Sequence, residues 1–438
     1  MRKLQGLHFY INIANLDDVI EKEEKMSGSL NHTIHAMDTF FSSIESYGAQ
    51  CFENVYVEKI TGSRLHMYIC GDASFCYPAF EKITAYTNVL VGYIATLPKY
   101  KTLDCFQIQI GACHGLFYDF QFTHAQDSEE TSIGFAANYA AKLQSFVSPE
   151  HVAISEKLYD SLTNDQQRRY IKKQSSRISK YGENSYYESP MRSFECSLDL
   201  SERLRSVAIY ANKVNLTDMV FRSAIQPVDP KAVSKGTAKI VDGIPFFADV
   251  RGFTKQFDND DANLTEMAQK TQDILTSMYM TIQKGHGIHI QFQGDREAAL
   301  FHDYPSYTCY EDAIISGMRL IDEIAPYKVS IGIGQEFGRV FVTRIGARGE
   351  KDTILLGRTV LRANSLEDDY ADENQIVIGE YEYNKLLQQH SPLVEVFTKS
   401  DKGVFFTNLS YKDYQKHIQA KELKRNNQQR NYNGAWSE

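Results

Sequence analysis

The chain repeats one set of motifs, and each copy lacks what the other keeps. G-A-C-H-G (Gly111 to Gly115) matches G-Q-E-F-G (Gly334 to Gly338), an offset of 223. Gly71-Asp72 is read against Gly294-Asp295, and Gly134 against Gly357, at the same offset. V-A-I-S-E-K-L-Y (from Val152) matches I-V-I-G-E-Y-E-Y (from Ile376) at 224. The first strand-like runs stand further apart, since Asn12 aligns with Asp249 at 237. This reading gives the first copy about 14 extra residues before its glycine-aspartate hairpin. A repeat of this length describes two structural units, and 438 residues suit two cores better than one.

Each copy reads as strand, helix, hairpin, helix, glycine-rich strand, loop, helix, strand, helix. F-Q-I-Q-I-G and V-S-I-G-I-G alternate as strands, while 262–285 and 311–325 have helical spacing. The expected class is α+β, with helices over a mixed sheet. We divide the chain into a domain over 1–213, a linker over 214–240, a domain over 241–415 and a polar tail over 416–438. The stretch 163–204 reads as an exposed insertion late in the first domain, and the tail as frayed or a short solvated helix.

The losses are directional. In the second copy, F-F-A-D-V-R-G-F-T (Phe246 to Thr254) and I-Q-F-Q-G-D (Ile290 to Asp295) set Asp249 and Asp295 at the ends of apolar runs. Two carboxylates beside triphosphate oxygens form a hard-oxygen environment for Mg²⁺ or Mn²⁺. Each aspartate alone is as well explained as a helix cap or a turn residue. The first copy has Asn12 in place of Asp249. It does have Asn138 and Lys142, four apart on one helix face, where the second copy has Leu361 and Ser365. Outside the repeat such a pair is an ordinary solvated stripe.

The net charge of −9 leaves no basic footprint for nucleic acid. No apolar stretch is long enough to span a bilayer, and seven scattered cysteines form no disulfide or metal pattern. We therefore expect a cytoplasmic protein without nucleic-acid or membrane partners.

In this order the motifs resemble the class III nucleotidyl cyclase catalytic domain, twice over. The resemblance implies two ferredoxin-like cores packed head to tail as an intramolecular pseudo-heterodimer, self-contained and free to act as a monomer. It implies that Asp249 and Asp295, with the Val250 carbonyl, hold two Mn²⁺ or Mg²⁺ ions. The amides of Gly252, Phe253 and Thr254 would hold the triphosphate. Asn138 and Lys142 would act on the transition state, with Lys142 standing where the family has arginine. The opposite site, built on Asn12 and Asp72 with Leu361 and Ser365, would be inactive.

The base-selecting position lies three residues before the hairpin glycine. Adenylyl cyclases have Lys there and guanylyl cyclases Glu; read from Gly71, this chain has Tyr68, with Thr131 at the second base position. A tyrosine there resembles the pyrimidine cyclases of bacterial antiphage (Pycsar) systems. That resemblance implies cyclisation of CTP, with UTP next, to a second messenger read by a separate effector. An adenylyl cyclase with altered base contacts and a catalytically silent nucleotide sensor remain alternatives.

Overall fold

The computed structural model describes residues 2–124, 127–179, 185–195, 199–213, 226–252, 264–347 and 353–434. The first half opens with β1 (Arg2–Ile13), α1 (Leu16–Ser27), α2 (Asn31–Cys51), β2 (Val55–Thr61), β3 (Arg64–Cys70) and α3 (Ala73–Thr96). Then come β4 (Ile108–His124), β5 (Asp127–Ile133), α4 (Phe135–Phe146), β6 (His151–Ser155), α5 (Glu156–Asp160) and α6 (Asn164–Gln167). It ends with β7 (Ile171–Gln174), α7 (Ser176–Ser179), β8 (Ser185–Pro190) and α8 (Ser201–Lys213).

The second half holds β9 (Ala238–Arg251), α9 (Leu264–Lys284), β10 (Ile288–Gln293), β11 (Arg296–His302) and α10 (Tyr310–Ile324). It continues through β12 (Ser330–Gln335), β13 (Gly338–Arg344), β14 (Thr353–Leu356), α11 (Arg358–Ser365) and β15 (Gln375–Ile378). α12 (Glu380–Gln388), β16 (Thr398–Lys399), β17 (Phe405–Thr407) and α13 (Tyr411–Gly434) complete it. β9 thus begins inside the stretch expected to link the domains.

The two sheets have one topology. The first runs β2-β3-β1-β4-β6-β8-β7 and the second β10-β11-β9-β12-β15-β17-β16. In each, the central strand is flanked by antiparallel partners, and one parallel pair, β4–β6 or β12–β15, follows. The alternation in β1 explains its layering. Leu7, Phe9, Ile11 and Ile13 are fully buried, and they join α2 and α3 residues in one apolar cluster. His8, Tyr10 and Asn12 point to the opposite face, where Tyr10 packs against a cluster that includes Tyr139 and Leu143 of α4.

Glycines keep the repeat in step where α4 and α11 pack. A Cβ on Gly111 would collide with the backbone of Ala140 and Gln144, and one on Gly334 with that of Ala363 and Glu367. These matched close approaches seat α4 and α11 on their sheets.

The domains exchange hydrophobic arms. Phe120 and Phe122 of β4 and Ile133 of β5 are buried in the second core, where Phe122 meets Phe292 edge-on at 4.8 Å. In return Phe341, Ile354 and Leu356 join the first core. Each fully buried side chain of this kind contributes about 2 kcal/mol. The interface is therefore part of both cores.

Two expectations need correction. The stretch 163–204 is not an exposed insertion. Its β8 is buried and pairs with β6, while β7 at the sheet edge and the turn of α6 are exposed. Tyrosines and a glutamate in S-Y-Y-E-S-P disguise a strand that lies between two neighbours. The tail continues α13 as a mostly exposed helix over 416–424, as expected, behind a docked first turn in which Tyr414 is buried in the second core and the Arg319 guanidinium lies 4.7 Å from the Tyr411 ring centroid.

The second correction concerns the hairpin. β2 and β3 turn at Gly62-Ser63, as β10 and β11 turn at Gly294-Asp295. Gly71-Asp72 lies after β3, and Asp72 is the residue preceding α3. The register agrees, since Asn12 pairs with Arg64 and Asp249 with Arg296. Of the 14 extra residues, 9 fall in the next helix, where α3 has 24 residues and α10 has 15.

Candidate functional site

Asp249 sits near the end of β9, between Arg296 on β11 and Gly332 on β12. Asp295 occupies the turn that leads into β11. Both are partly exposed, and their electrostatics are coupled. Burial pushes the Asp249 carboxyl up, while Arg296, Arg251 and Lys142 pull against it. Burial and then the charge of Asp249 push Asp295 well up, with Lys142 opposing. A carboxylate raised by the charge of its neighbour forms a site that favours a cation. The donor set fits Mg²⁺ or Mn²⁺, which take oxygen ligands.

Lys142 is the cross-domain element. It lies exposed on α4 of the first domain, and its charge acts on both aspartates of the second. Asn138, one turn earlier on α4, is half-buried; its backbone N–H donates the helix-opening bond to the Gly134 carbonyl. Val250 is buried in the second core, so only its backbone remains for a ligand. Gly252 follows β9 at φ 71°, a conformation that glycine adopts without steric cost. Phe253 and Thr254 lie outside the described residues.

Three side chains at this site carried no clear sequence signal. Arg251 pairs with Asp249 at 3.2 Å and Glu367 at 2.8 Å, and donates to the carbonyls of Glu367 and Ala371. Arg296 pairs with Glu367 at 2.9 Å and lies 4.4 Å from the Phe247 ring centroid. Burial pushes the Glu367 carboxyl up to about 7, with Arg296 opposing. A Cβ on Gly332 would overlap the Arg251 guanidinium, so that glycine makes room for the network. Both arginines stand beside recognised motifs, in V-R-G-F and G-D-R-E. Glu367 sits in the π-helical turn that continues α11, which no spacing rule foretold.

The matching pair on the opposite side is neutral. The position matching Asp295 is Ser63, not Asp72, and the Ser63 hydroxyl donates to Asn12 Oδ1 at 2.6 Å. The Asn12 amide also donates to Gln109. Leu361 packs against the first core and Ser365 bonds to Asp369.

The hairpin correction moves the base position. Three residues before Gly62 stands Lys59, the register match of Gln291, and Tyr68 lies instead on β3. The Lys59 side chain is 7% exposed, donates to the Phe292 carbonyl at 3.1 Å and stands 3.8 Å from Glu129. Tyr68 stacks on Tyr56 and shares a cavity of about 40 Å³ with Thr131. That space is sized for about three waters, which is small for a base.

Beside Lys59, His289 bridges the domains. It contacts Glu129 at 2.8 Å and Glu297 at 2.7 Å. Burial lowers its pKa, but the two carboxylates outweigh burial and push it up to about 10. Among the described residues, no helix is long and apolar enough to cross a membrane.

No family model matches the chain. It is 22% identical over 400 residues to a protein named uridylate cyclase from a Rhizobium species, covering 83% of this chain and 75% of the relative. A class III adenylyl cyclase-like ATP-binding protein from Pseudomonas aeruginosa is similar in structure. Its TM-score is 0.71 at 16% identity, covering 95% of this chain and 90% of that one. The likeness spans both domains, so the chain has the fold of a class III cyclase domain pair.

Proposed function

We propose that the chain is a nucleotide cyclase with one composite site, which converts a pyrimidine nucleoside triphosphate to its 3′,5′-cyclic nucleotide and pyrophosphate. The observation that carries this reading is the charge of Lys142 acting across the interface on Asp249 and Asp295. A chance surface lysine has no reason to face the carboxylate pair of the other domain.

Asp249 and Asp295, with the Val250 carbonyl, would hold two divalent ions. Such ions supply acidification of the 3′-hydroxyl and neutralisation of the triphosphate. Asn138 orients the ribose, so that the 3′-oxygen bonds to the α-phosphorus as the bond to the β-phosphate oxygen breaks. Lys142 stabilises the charge that develops on the α-phosphate. The Gly252 amide, with Phe253 and Thr254, takes the triphosphate. Asn12 and Ser63, two neutral groups, leave the opposite pocket without this chemistry.

The name of the Rhizobium relative supports a pyrimidine, and it favours UTP ahead of CTP. Tyr68 no longer supports either, because it does not occupy the base-selecting position. Lys59 at that position supports a second reading, an adenylyl cyclase with altered contacts, since adenylyl cyclases share a lysine there. Two features oppose it: Thr131 stands at the second base position, where the family usually has Asp or Cys, and the Lys59 ammonium is held by Phe292 and Glu129. A cyclic pyrimidine product would serve as a second messenger in a cytoplasmic antiphage response, read by a separate effector. That role rests on the resemblance to Pycsar cyclases.

Purified protein with Mn²⁺ and each of the four nucleoside triphosphates tests the reading. Cyclic UMP or cyclic CMP supports it, cyclic AMP selects the second reading, and no cyclic product leaves a silent sensor.

A further inference from the structure

The first domain carries a buried polar cluster that its copy lacks. His8 on β1, His66 on β3 and Glu58 on β2 each bring a donor atom within 4.8 Å of the others. They are 0%, 2% and 5% exposed. Strand register matches His8 with Pro245 and His66 with Ala298, because His8 pairs with Tyr68 as Pro245 pairs with Leu300, and Tyr10 with His66 as Phe247 with Ala298. Glu58 matches Ile290, since each is the extra residue of a bulge in the hairpin's first strand. The same fold is thus completed elsewhere with apolar groups, and packing does not require two imidazoles and a carboxylate here.

Burying such groups costs free energy unless each finds a partner. His8 Nδ1 lies 3.1 Å from His66 Nε2, and His66 Nδ1 lies 3.2 Å from Glu58. His8 Nε2 has no hydrogen-bond partner. We propose that His8, His66 and Glu58 form a binding site for a Zn²⁺-type ion, separate from the aspartate pair.

The donor chemistry selects that class. Two imidazoles and one carboxylate suit Zn²⁺, whereas Mg²⁺ and Ca²⁺ take oxygen ligands. Three protein donors leave one position for water. The bulge between Val57 and Lys59 re-aims Glu58, a common use of bulges. Its carboxylate also accepts from Thr131 Oγ1 at 3.3 Å, from the Ser132 amide at 3.0 Å and from the Ser132 hydroxyl. Hydrogen bonds of this kind orient ligating carboxylates. Tyr10 stacks on His66 at 4.0 Å, and Phe117 meets His8 edge-on at 4.3 Å, which fixes the ring planes. Burial, then His66, pushes His8 well below the usual histidine range, and neutral imidazole is the form that ligates. An ion here would tie β2, which carries Lys59, to β1 and β3.

The test uses full-length Asp249→Ala protein, so that the aspartate pair does not compete. It is loaded with Zn²⁺ and freed of excess by gel filtration. The site predicts about one zinc retained per chain, a raised melting temperature, and visible d–d absorption when Co²⁺ replaces Zn²⁺. Adding His66→Ala, the residue at the matching position of the copy, or Glu58→Gln should abolish retention while circular dichroism stays unchanged. Zinc X-ray absorption of the parent sample should show two imidazole ligands, whether or not those variants fold. A folded parent that retains no zinc, or zinc without two imidazoles, leaves only a hydrogen-bonded relay and overturns the proposal.

Discussion

Ser63 Oγ donates a 2.6 Å hydrogen bond to Asn12 Oδ1, at the turn where the second domain sets Asp295 beside Asp249. The position that matches the carboxylate pair holds instead a neutral pair that satisfies itself. Asp249→Ala should therefore lower kcat by at least about 10²-fold, the scale of one lost electrostatic group. Asn12→Ala should leave kcat nearly unchanged. Steady-state rates with the preferred triphosphate separate the cases, and equal losses would contradict a single working site.

Lys142 faces both aspartates but cannot form the two-pronged contact of a guanidinium. Lys142→Ala should cost about 10² to 10³ in kcat with little change in KM. Lys142→Arg keeps the charge and adds the fork, so it should retain activity. A KM effect alone would reduce Lys142 to a substrate-docking group.

Lys59 and Tyr68 make opposite predictions about base choice. Lys59→Gln installs the residue that the second domain carries at the matching position. It should change the kcat/KM ratio among UTP, CTP and ATP by about tenfold or more, the usual value of one specificity contact. Tyr68→Phe should leave the ratio unchanged, because that side chain lines a cavity that is small for a base. The reverse pattern would restore Tyr68 as the selector.

His289 should make domain coupling sensitive to alkali. Its folded pKa of about 10 exceeds the ordinary histidine value of 6.5, so its contribution is complete below pH 6.5. That contribution is lost as pH rises from about 6.5 to about 10. Glu297, wholly buried, is itself held above its usual value by burial despite the imidazolium. Urea midpoints at pH 7 and pH 9.5 should fall more for wild type than for His289→Gln. Parallel falls would show that His289 does not carry the effect.

Much of this was legible in the sequence because duplication supplies its own control. Asp249, Asp295 and Lys142 stand out when two copies of one pattern are compared, and in the fold the Lys142 charge acts on both carboxylates. The hairpin failed for a local reason. Gly71-Asp72 imitates Gly294-Asp295, and the nine additional residues of α3 shift the imitation into the 223 register. Only strand pairing tells the two glycines apart, and with them Lys59 from Tyr68. β8 was missed because its neighbours, not its composition, bury it. Glu367 was missed because a π-helical turn has no periodic signal.

The central claim is one cyclase site assembled from both domains. Product formation by wild type, Asp249→Ala, Lys142→Ala and Asn12→Ala, each with Mn²⁺ and all four triphosphates, tests it most directly. The account predicts a cyclic pyrimidine nucleotide from wild type and Asn12→Ala, and little or none from the two variants on opposite sides of the interface. Undiminished product from either Asp249→Ala or Lys142→Ala would contradict it.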